Sequence, residues 1–273
     1  FKFFNYNIYS YSFKVILFVY HQSSIQQINS EEFFAKNCAE LWLQYGIRHS
    51  GNYTLLLDDS TESLNNGIQV ECDMSSALTV DPQIDGNHLG ESEQVFEVKT
   101  IIHHDSEEPR LVQGYESPGS FERNIIYNQG HSNSNFSSTP KDANRLFMRQ
   151  IEKIVNSAFS CQQYIRWDCK GSVFSFWFQH YHSWWLDRNG RTRTYWGGAE
   201  PDSNSCGCFP YCHPTVKNST CNCDANMKTD WLEDSGLLLS KDRLPVTQLR
   251  FGDTGESYEV GRYTLGPLIC RSY

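Results

Sequence analysis

Apolar and polar positions fall in short blocks along this chain, and the blocks predict a few helices set among many short strands. Ser30 stands before Glu31-Glu-Phe-Phe-Ala-Lys-Asn-Cys-Ala-Glu-Leu-Trp-Leu-Gln-Tyr45, which carries acids in its first turn and stops at Gly46. A capping serine, early carboxylates and a glycine stop predict a helix over 31–45. A second helix is predicted behind Thr139-Pro140, an N-cap followed by a first-turn proline, because Phe147, Ile151, Ile154, Val155 and Ala158 recur on one face at helical spacing. Tyr53–Leu57 and Ile68–Cys72 are rich in β-formers and flank a Asp/Ser/Asn/Gly stretch, so they predict a strand pair.

From Gly86 to Ser138 the chain is polar apart from Val95–Ile102, which predicts loop. Beyond Cys161 the texture turns aromatic and β-rich, with Val173–Phe178, Trp184-Trp185, Val246–Phe251 and Tyr263–Ile269 as strands. The Asn189-Gly190 pair suits a type I′ hairpin turn with a second arm over Thr192–Trp196. No repeat and no low-complexity linker divides the chain, so a single loop-rich α+β domain with antiparallel sheets and a few helices is expected over 30–273. Residues 1–29 are set outside it. Their apolar run, Val15–Tyr20 behind Lys14, is too short to span a bilayer and reads as part of a signal-peptide core or as upstream sequence. No transmembrane segment is expected.

Ten cysteines in 273 residues change the picture most. Cytosolic thiols stay reduced, so an even and large complement points to an oxidising compartment. Three acceptor sequons agree, at Asn52, Asn135 and Asn218. The chain is therefore expected to be secreted or displayed at the cell surface. Its net charge of −9, with no basic cluster, excludes nucleic acid as a partner.

Candidate chemistry is sparse. Cys206, Cys208, Cys212, His213, Cys221 and Cys223 offer zinc-type ligands, but two Cys-x-Cys pairs replace the usual knuckles and a sequon lies between them, so structural disulfides are expected and no metal. Asp253-Thr-Gly255 matches the aspartic-protease signature in a single copy, and a turn in which the aspartate caps a backbone amide is the plainer reading. His103-His104-Asp105 and His180-Tyr-His182 lack completing groups, and no nucleophile elbow, His-Glu-x-x-His or phosphate loop occurs. No catalytic residue and no cofactor are expected. Trp167, Trp177, Trp184, Trp185, Trp196 and Trp231 are expected mainly in the core, with any exposed pair marking a binding surface.

Two blocks carry a resemblance. Asn37-Cys-Ala-Glu-Leu-Trp42 through Arg48–Leu55 to Val70-Glu-Cys-Asp-Met74 resembles the opening of fibrinogen C-terminal domains. Trp184-Trp185, Tyr195-Trp-Gly-Gly198, Cys206-Gly-Cys208, Cys221-Asn-Cys-Asp224, Trp231, Asp234-Ser-Gly-Leu237, Lys241–Val246, Gly252-Asp-Thr254 and Leu265–Cys270 stand in the order seen in the fibrinogen-like segment of contactin-associated, neurexin IV-like proteins. The resemblance implies a disulfide-rich fibrinogen C-terminal-like domain acting as a non-catalytic adhesion or receptor-recognition module, bound by an extracellular or cell-surface protein. It also implies a Cys38–Cys72 bridge. For Cys161, Cys169, Cys206, Cys208, Cys212, Cys221, Cys223 and Cys270 on the order of a hundred connectivities remain open, with crossing between the two Cys-x-Cys halves expected. The Gly-Gly-Trp run and Asp-x-Asp calcium loop of fibrinogen-related lectins have no counterpart here, so a secreted glycan-binding lectin of innate defence is the alternative rather than the first expectation.

Overall fold

A computed structural model describes residues 32–57, 67–75, 77–78, 95–127, 140–176, 180–213 and 219–273. Glu31–Tyr273 forms one compact unit. The expectations for the segment 1–29, the Ser30 and Thr139 caps, Trp177, Asn135 and Asn218 lie outside the described residues.

In chain order the elements are β1 (Glu32–Phe34), α1 (Cys38–Tyr45), β2 (Gly51–Leu56), β3 (Ile68–Asp73), β4 (Ala77–Leu78), β5 (Val95–Phe96), β6 (Val98–Ile102), β7 (Arg110–Val112), β8 (Phe121–Asn124) and α2 (Pro140–Ser157). There follow β9 (Ser160–Lys170), β10 (Ser175–Phe176), β11 (His180–Tyr181), β12 (Trp184–Leu186), β13 (Thr192–Arg193), a short 3₁₀ turn at Cys223–Ala225, β14 (Leu232–Leu238), β15 (Gln248–Phe251) and β16 (Val260–Ser272). The domain is sheet-dominated. Its main sheet has eight strands in the order β1-β2-β3-β6-β16-β9-β14, with β7 also on β16, and a four-stranded sheet runs β13-β12-β15-β8. The described pairs are antiparallel except β1 with β2, which is parallel.

That parallel pair corrects the first predicted helix. Residues 32–34 are extended, and the helix begins only at Cys38, because Asn37 is its cap: its side chain accepts the Glu40 N–H at 3.0 Å, while Glu40 Oε2 accepts the Lys36 N–H at 2.9 Å. Phe33 turns its ring to Tyr45 and Tyr53, at 5.2 and 6.1 Å, which rewards the extended conformation. Gly46 closes the helix in the left-handed conformation, as its position suggested. The stretch expected to be loop also contains β7 and β8, two short strands whose mostly outward, charged side chains hide their alternation.

The Asn-Gly turn differs as well. Leu186 pairs with Thr192, so five residues connect the arms. Asp187 is fully buried, and its carboxylate accepts the N–H groups of Asn189 and Arg191 and a bidentate contact from Arg193 at 2.9 and 2.7 Å. Only Gly190 adopts positive φ, since the Asp187 carboxylate rather than a two-residue turn organises the connection.

The two sheets meet at Phe251. Its ring from β15 stacks on Trp167 of β9 at 4.0 Å and on Tyr263 of β16 at 5.7 Å, and meets Trp196 edge-on at 6.1 Å. All four side chains are buried. On the predicted inner face of α2, Ile151, Ile154 and Val155 are buried and Phe147 half-buried, and Ala158, just past the helix end, is buried as well.

β16 carries a bulge between Leu265 and Leu268, where Gly266-Pro267 breaks the ladder to β9. The freed Gly266 carbonyl accepts N–H groups from His104 and Gln163, at 2.9 and 3.0 Å. Gln163, fully buried, also accepts the Val246 N–H at 2.9 Å and donates to the Tyr127 hydroxyl, which donates to the Val246 carbonyl at 2.7 Å. Burial holds His104 below the ordinary histidine pKa, in its neutral form within this network. Replacing Gln163 with leucine leaves the Val246 N–H and Gly266 carbonyl short of partners in the core. The expected loss is about 1–3 kcal/mol in urea-induced unfolding, and a variant as stable as the parent would refute the network's role.

Candidate functional site

All ten cysteines are oxidised, in pairs 38–72, 161–270, 169–223, 206–221 and 208–212. The first two staple the main sheet: Cys38 ties α1 to β3, and Cys161 faces Cys270 across the β9–β16 ladder. The other three gather at the β14 edge. Here the expected crossing between Cys-x-Cys halves occurs at Cys206–Cys221 alone. Cys223 reaches back to Cys169 on β9, and Cys208 closes a small loop on Cys212, because the Cys223–Ala225 turn lies against β9 and β14 and the chain after Cys208 folds back at once. With every sulfur bonded, no thiolate is left to ligate zinc.

The base of this cluster is a contact between three backbones. A Cβ on Gly197 would lie 2.4 Å from the Gly236 carbonyl oxygen, one on Gly236 would lie 2.6 Å from the Gly197 carbonyl carbon, and one on Gly207 would lie 2.8 Å from the Gly197 oxygen. Only glycine fits at each position. The contact sets the loop 195–207 on β14, where Gly198 N–H donates to Leu237, the Trp196 indole to the Asp234 carbonyl, and Cys206 N–H to Thr220.

Two carboxylates, Asp234 buried and Asp224 half-buried, fix the Cys221–Asp224 segment. Asp234 on β14 accepts the N–H groups of Asn222 and Cys223, both at 2.9 Å, and Asp224 accepts those of Phe174, Ser175 and Cys221 with the Thr220 hydroxyl. Burial without a neutralising cation raises both pKa values, Asp234 to about 6.

The outer side of this frame is aromatic. The Cys208–Cys212 loop presents Phe209, 54% exposed, and Tyr211, 91% exposed. Beside it lies an open cleft of about 490 Å³ lined by Arg166, Asp168, His213, Asn222, Trp231, Leu232, Glu233 and Arg262. Arg166 bridges Asp168 and Glu233 at 2.5 Å each, Arg262 reaches Asp168 at 3.0 Å, and the Arg262 guanidinium stands 5.8 Å from the ring centre of Trp231, itself 49% exposed.

Other sequence candidates are scattered. Trp167, Trp185 and Trp196 are core, Trp184 is half-buried, and Trp231 is the exposed one among those described. His103 is held between Glu71 and Glu107, at 2.8 and 3.1 Å, which raises its pKa despite partial burial. Asp253 accepts the Val173 N–H at 2.7 Å, caps the turn with positive φ, and shares its surroundings with Glu116 and Glu259. Its pKa rises to about 6, mainly through burial. No second Asp-Thr-Gly faces it, and the residue acts as a backbone cap. Asn52 is exposed on β2. The glycine contact and the paired aspartates went unassigned at the level of sequence, although their residues stand in the blocks Tyr195–Gly198, Cys206–Cys208, Cys221–Asp224 and Asp234–Leu237.

The geometry defines a class: a sheet-dominated domain of the oxidising compartment, braced by five disulfides, with aromatic side chains displayed on its most crosslinked edge. No protein-family model matches the chain. It is similar to Neurexin-4 of Drosophila melanogaster, 32% identical over 253 residues and 89% of this chain, and to human Contactin-associated protein 1, 34% identical over 122 residues and 44% of this chain. By these relationships the chain belongs to the contactin-associated, neurexin IV-like family. It spans 18% of the length of Neurexin-4 and 9% of the human protein.

Two outcomes follow from this frame. Gly197→Ala forces a methyl group into the β14 backbone, and a cost of about 1–3 kcal/mol is expected, with faster proteolytic cleavage within 200–213; unchanged stability would disprove the tight contact. Asp234 carries a folded pKa above its unfolded one, so the folded state binds the extra proton between about pH 4 and about pH 6. Its contribution to stability is therefore present at the acid end of that window and is lost as pH rises through about 6. Asp234→Asn, which removes one acceptor and the titration together, should destabilise by about 1–3 kcal/mol at neutral pH. The gap to wild type should widen as pH falls from about 6 to about 4, read by chemical denaturation at each pH.

Proposed function

We propose that the chain is a non-catalytic extracellular recognition module acting in cell adhesion or receptor binding, with a fibrinogen C-terminal-like domain over 30–273 and glycan acceptors at Asn52, Asn135 and Asn218. The observation that carries the proposal is the joining of family membership to a rigid, disulfide-framed edge that shows aromatic rings to solvent. Exposed aromatic side chains on a rigid support are the usual anchors of protein interfaces, since little conformational entropy remains to be lost on binding. Of the described groups that resemble catalytic signatures, Asp253 is engaged as a backbone cap, His103 lies between Glu71 and Glu107, and His104 is bonded to the Gly266 carbonyl. Among the described residues no helix is long and apolar enough to cross a membrane.

The human relative is named for association with contactin. A contactin-type cell-surface protein is accordingly the partner proposed here, in preference to a glycan. Surface plasmon resonance of the chain over an immobilised contactin ectodomain should give a Kd on the order of micromolar or tighter. Binding should survive calcium chelation and disappear after disulfide reduction. Absence of binding, with calcium-dependent retention on a glycan array instead, would replace adhesion by the lectin reading.

A further inference from the structure

We propose that this edge also binds a second copy of the chain, the Phe209–Tyr211 knob of each copy seating in the Trp231–Arg262 cleft of the other. The inference rests on the reading of the disulfide-framed edge as a recognition face, and it concerns contact with a like molecule rather than with a cell-surface protein of another kind.

The knob is built to keep its shape. The Cys208–Cys212 bond closes it, Tyr211 N–H donates to the Cys208 carbonyl at 2.7 Å, Phe209 N–H donates to Cys206 at 3.1 Å, and Cys206–Cys221 with the glycine contact anchors its stem. Two large rings are thus exposed on a support with little freedom to lose, the condition under which aromatic burial is converted most fully into affinity. No Lys, Arg, Asp or Glu occurs from Ser203 to Val216. With a net charge of −9 behind it, such a tip has no means of holding anionic lipid headgroups, and a protein surface is the better match.

The cleft offers what the rings require. Trp231 and the Arg262 guanidinium form an aromatic and cationic wall, Leu232 adds apolar surface, and Glu233 and Asn222 supply polar atoms within reach of a tyrosine hydroxyl. Arg166 and Arg262 are balanced by Asp168 and Glu233, so an uncharged insert is not opposed locally. Knob and cleft are also contiguous, because Cys212 ends the first and His213 lines the second. Contiguous convex and concave features allow a two-fold pairing in which both contacts form at once, giving a closed dimer and not a filament.

The area sets the strength. An aromatic side chain buries about 150–250 Å², so with the exposures given above each knob contributes roughly 300 Å². Two knobs and the matching cleft surface make about 1,200 Å² in total, the lower end for a specific interface. Repulsion between two acidic chains opposes approach and is screened by salt. A weak dimer is expected, with a Kd on the order of 100 μM, tightening as ionic strength rises.

Sedimentation equilibrium of the full chain, from about 10 μM to about 1 mM, tests this. Wild type should dimerise, while Phe209→Ser/Tyr211→Ser and Trp231→Ser should each weaken association by at least about tenfold. All three side chains are exposed, Trp231 the least at 49%, so the variants should keep the fold, checked by non-reducing peptide mapping of the five disulfides. Mixing the knob variant with the cleft variant restores one intact knob–cleft contact and should give a one-to-one pair of intermediate strength. A wild type that stays monomeric throughout, or a dimer that neither variant weakens, overturns the proposal. So does ring-dependent pelleting with phosphatidylserine vesicles without self-association. A monomeric wild type that still binds the contactin ectodomain would sink the dimer and leave the adhesion module standing.

Discussion

Everything at the displayed edge depends on three peptide backbones touching without side chains between them. Gly197 lies against Gly236 of β14 on one side and against Gly207, from the far end of its own loop, on the other, and both approaches are closer than a Cβ would permit. That contact lays the 195–207 loop on β14. It also fixes where Cys206 and Cys208 point, and therefore which sulfurs can meet. The disulfides lock an arrangement that the glycines make sterically possible, so the crosslinks and the small residues are one device and not two.

The electrostatics of the domain follow the same division. Carboxylates such as Asp105, Asp168 and Asp187 are met by arginines at 2.5 to 3.0 Å, and the pairs set the geometry of turns and of the cleft. Beneath the disulfide frame, Asp224 and Asp234 have backbone N–H groups in place of cations. Desolvated charge held by uncharged donors is only partly offset, which is why their proton affinity rises. The frame is thus geometrically exact and electrostatically loaded, as segments that position a surface for contact often are.

The core supports this edge through Phe251. Stacked between Trp167 and Tyr263 and touching Trp196, it joins the main sheet, the smaller sheet and the loop that leads to the glycine contact. Large rings suit that role in a chain with few aliphatic runs, since each covers much area for one residue ordered. Family membership through a stretch covering a small part of the relatives' length fits such a unit, compact in itself and able to serve within longer proteins.

Local physical chemistry made much of this legible in advance. Ten cysteines declared the redox compartment, the 3.6-residue stripe located α2, and β-branched runs located β2, β3, β15 and most of β16, because each signal is carried by residues close in sequence. α1 starts several residues later than its local pattern predicts, since residues 32–34 pair with β2 and Phe33 packs on Tyr45 and Tyr53. The Asn-Gly pair does not form the two-residue turn that its local preference predicts, because the buried Asp187 carboxylate two residues away organises a five-residue connection. The candidate face was legible only as a string of motif residues. Which cysteines pair, why three glycines are required and which aromatic rings remain in water are properties of segments brought together from residues 169 to 236. Those answers belong to tertiary structure, where backbone approach and burial are decided by neighbours that no local pattern can name.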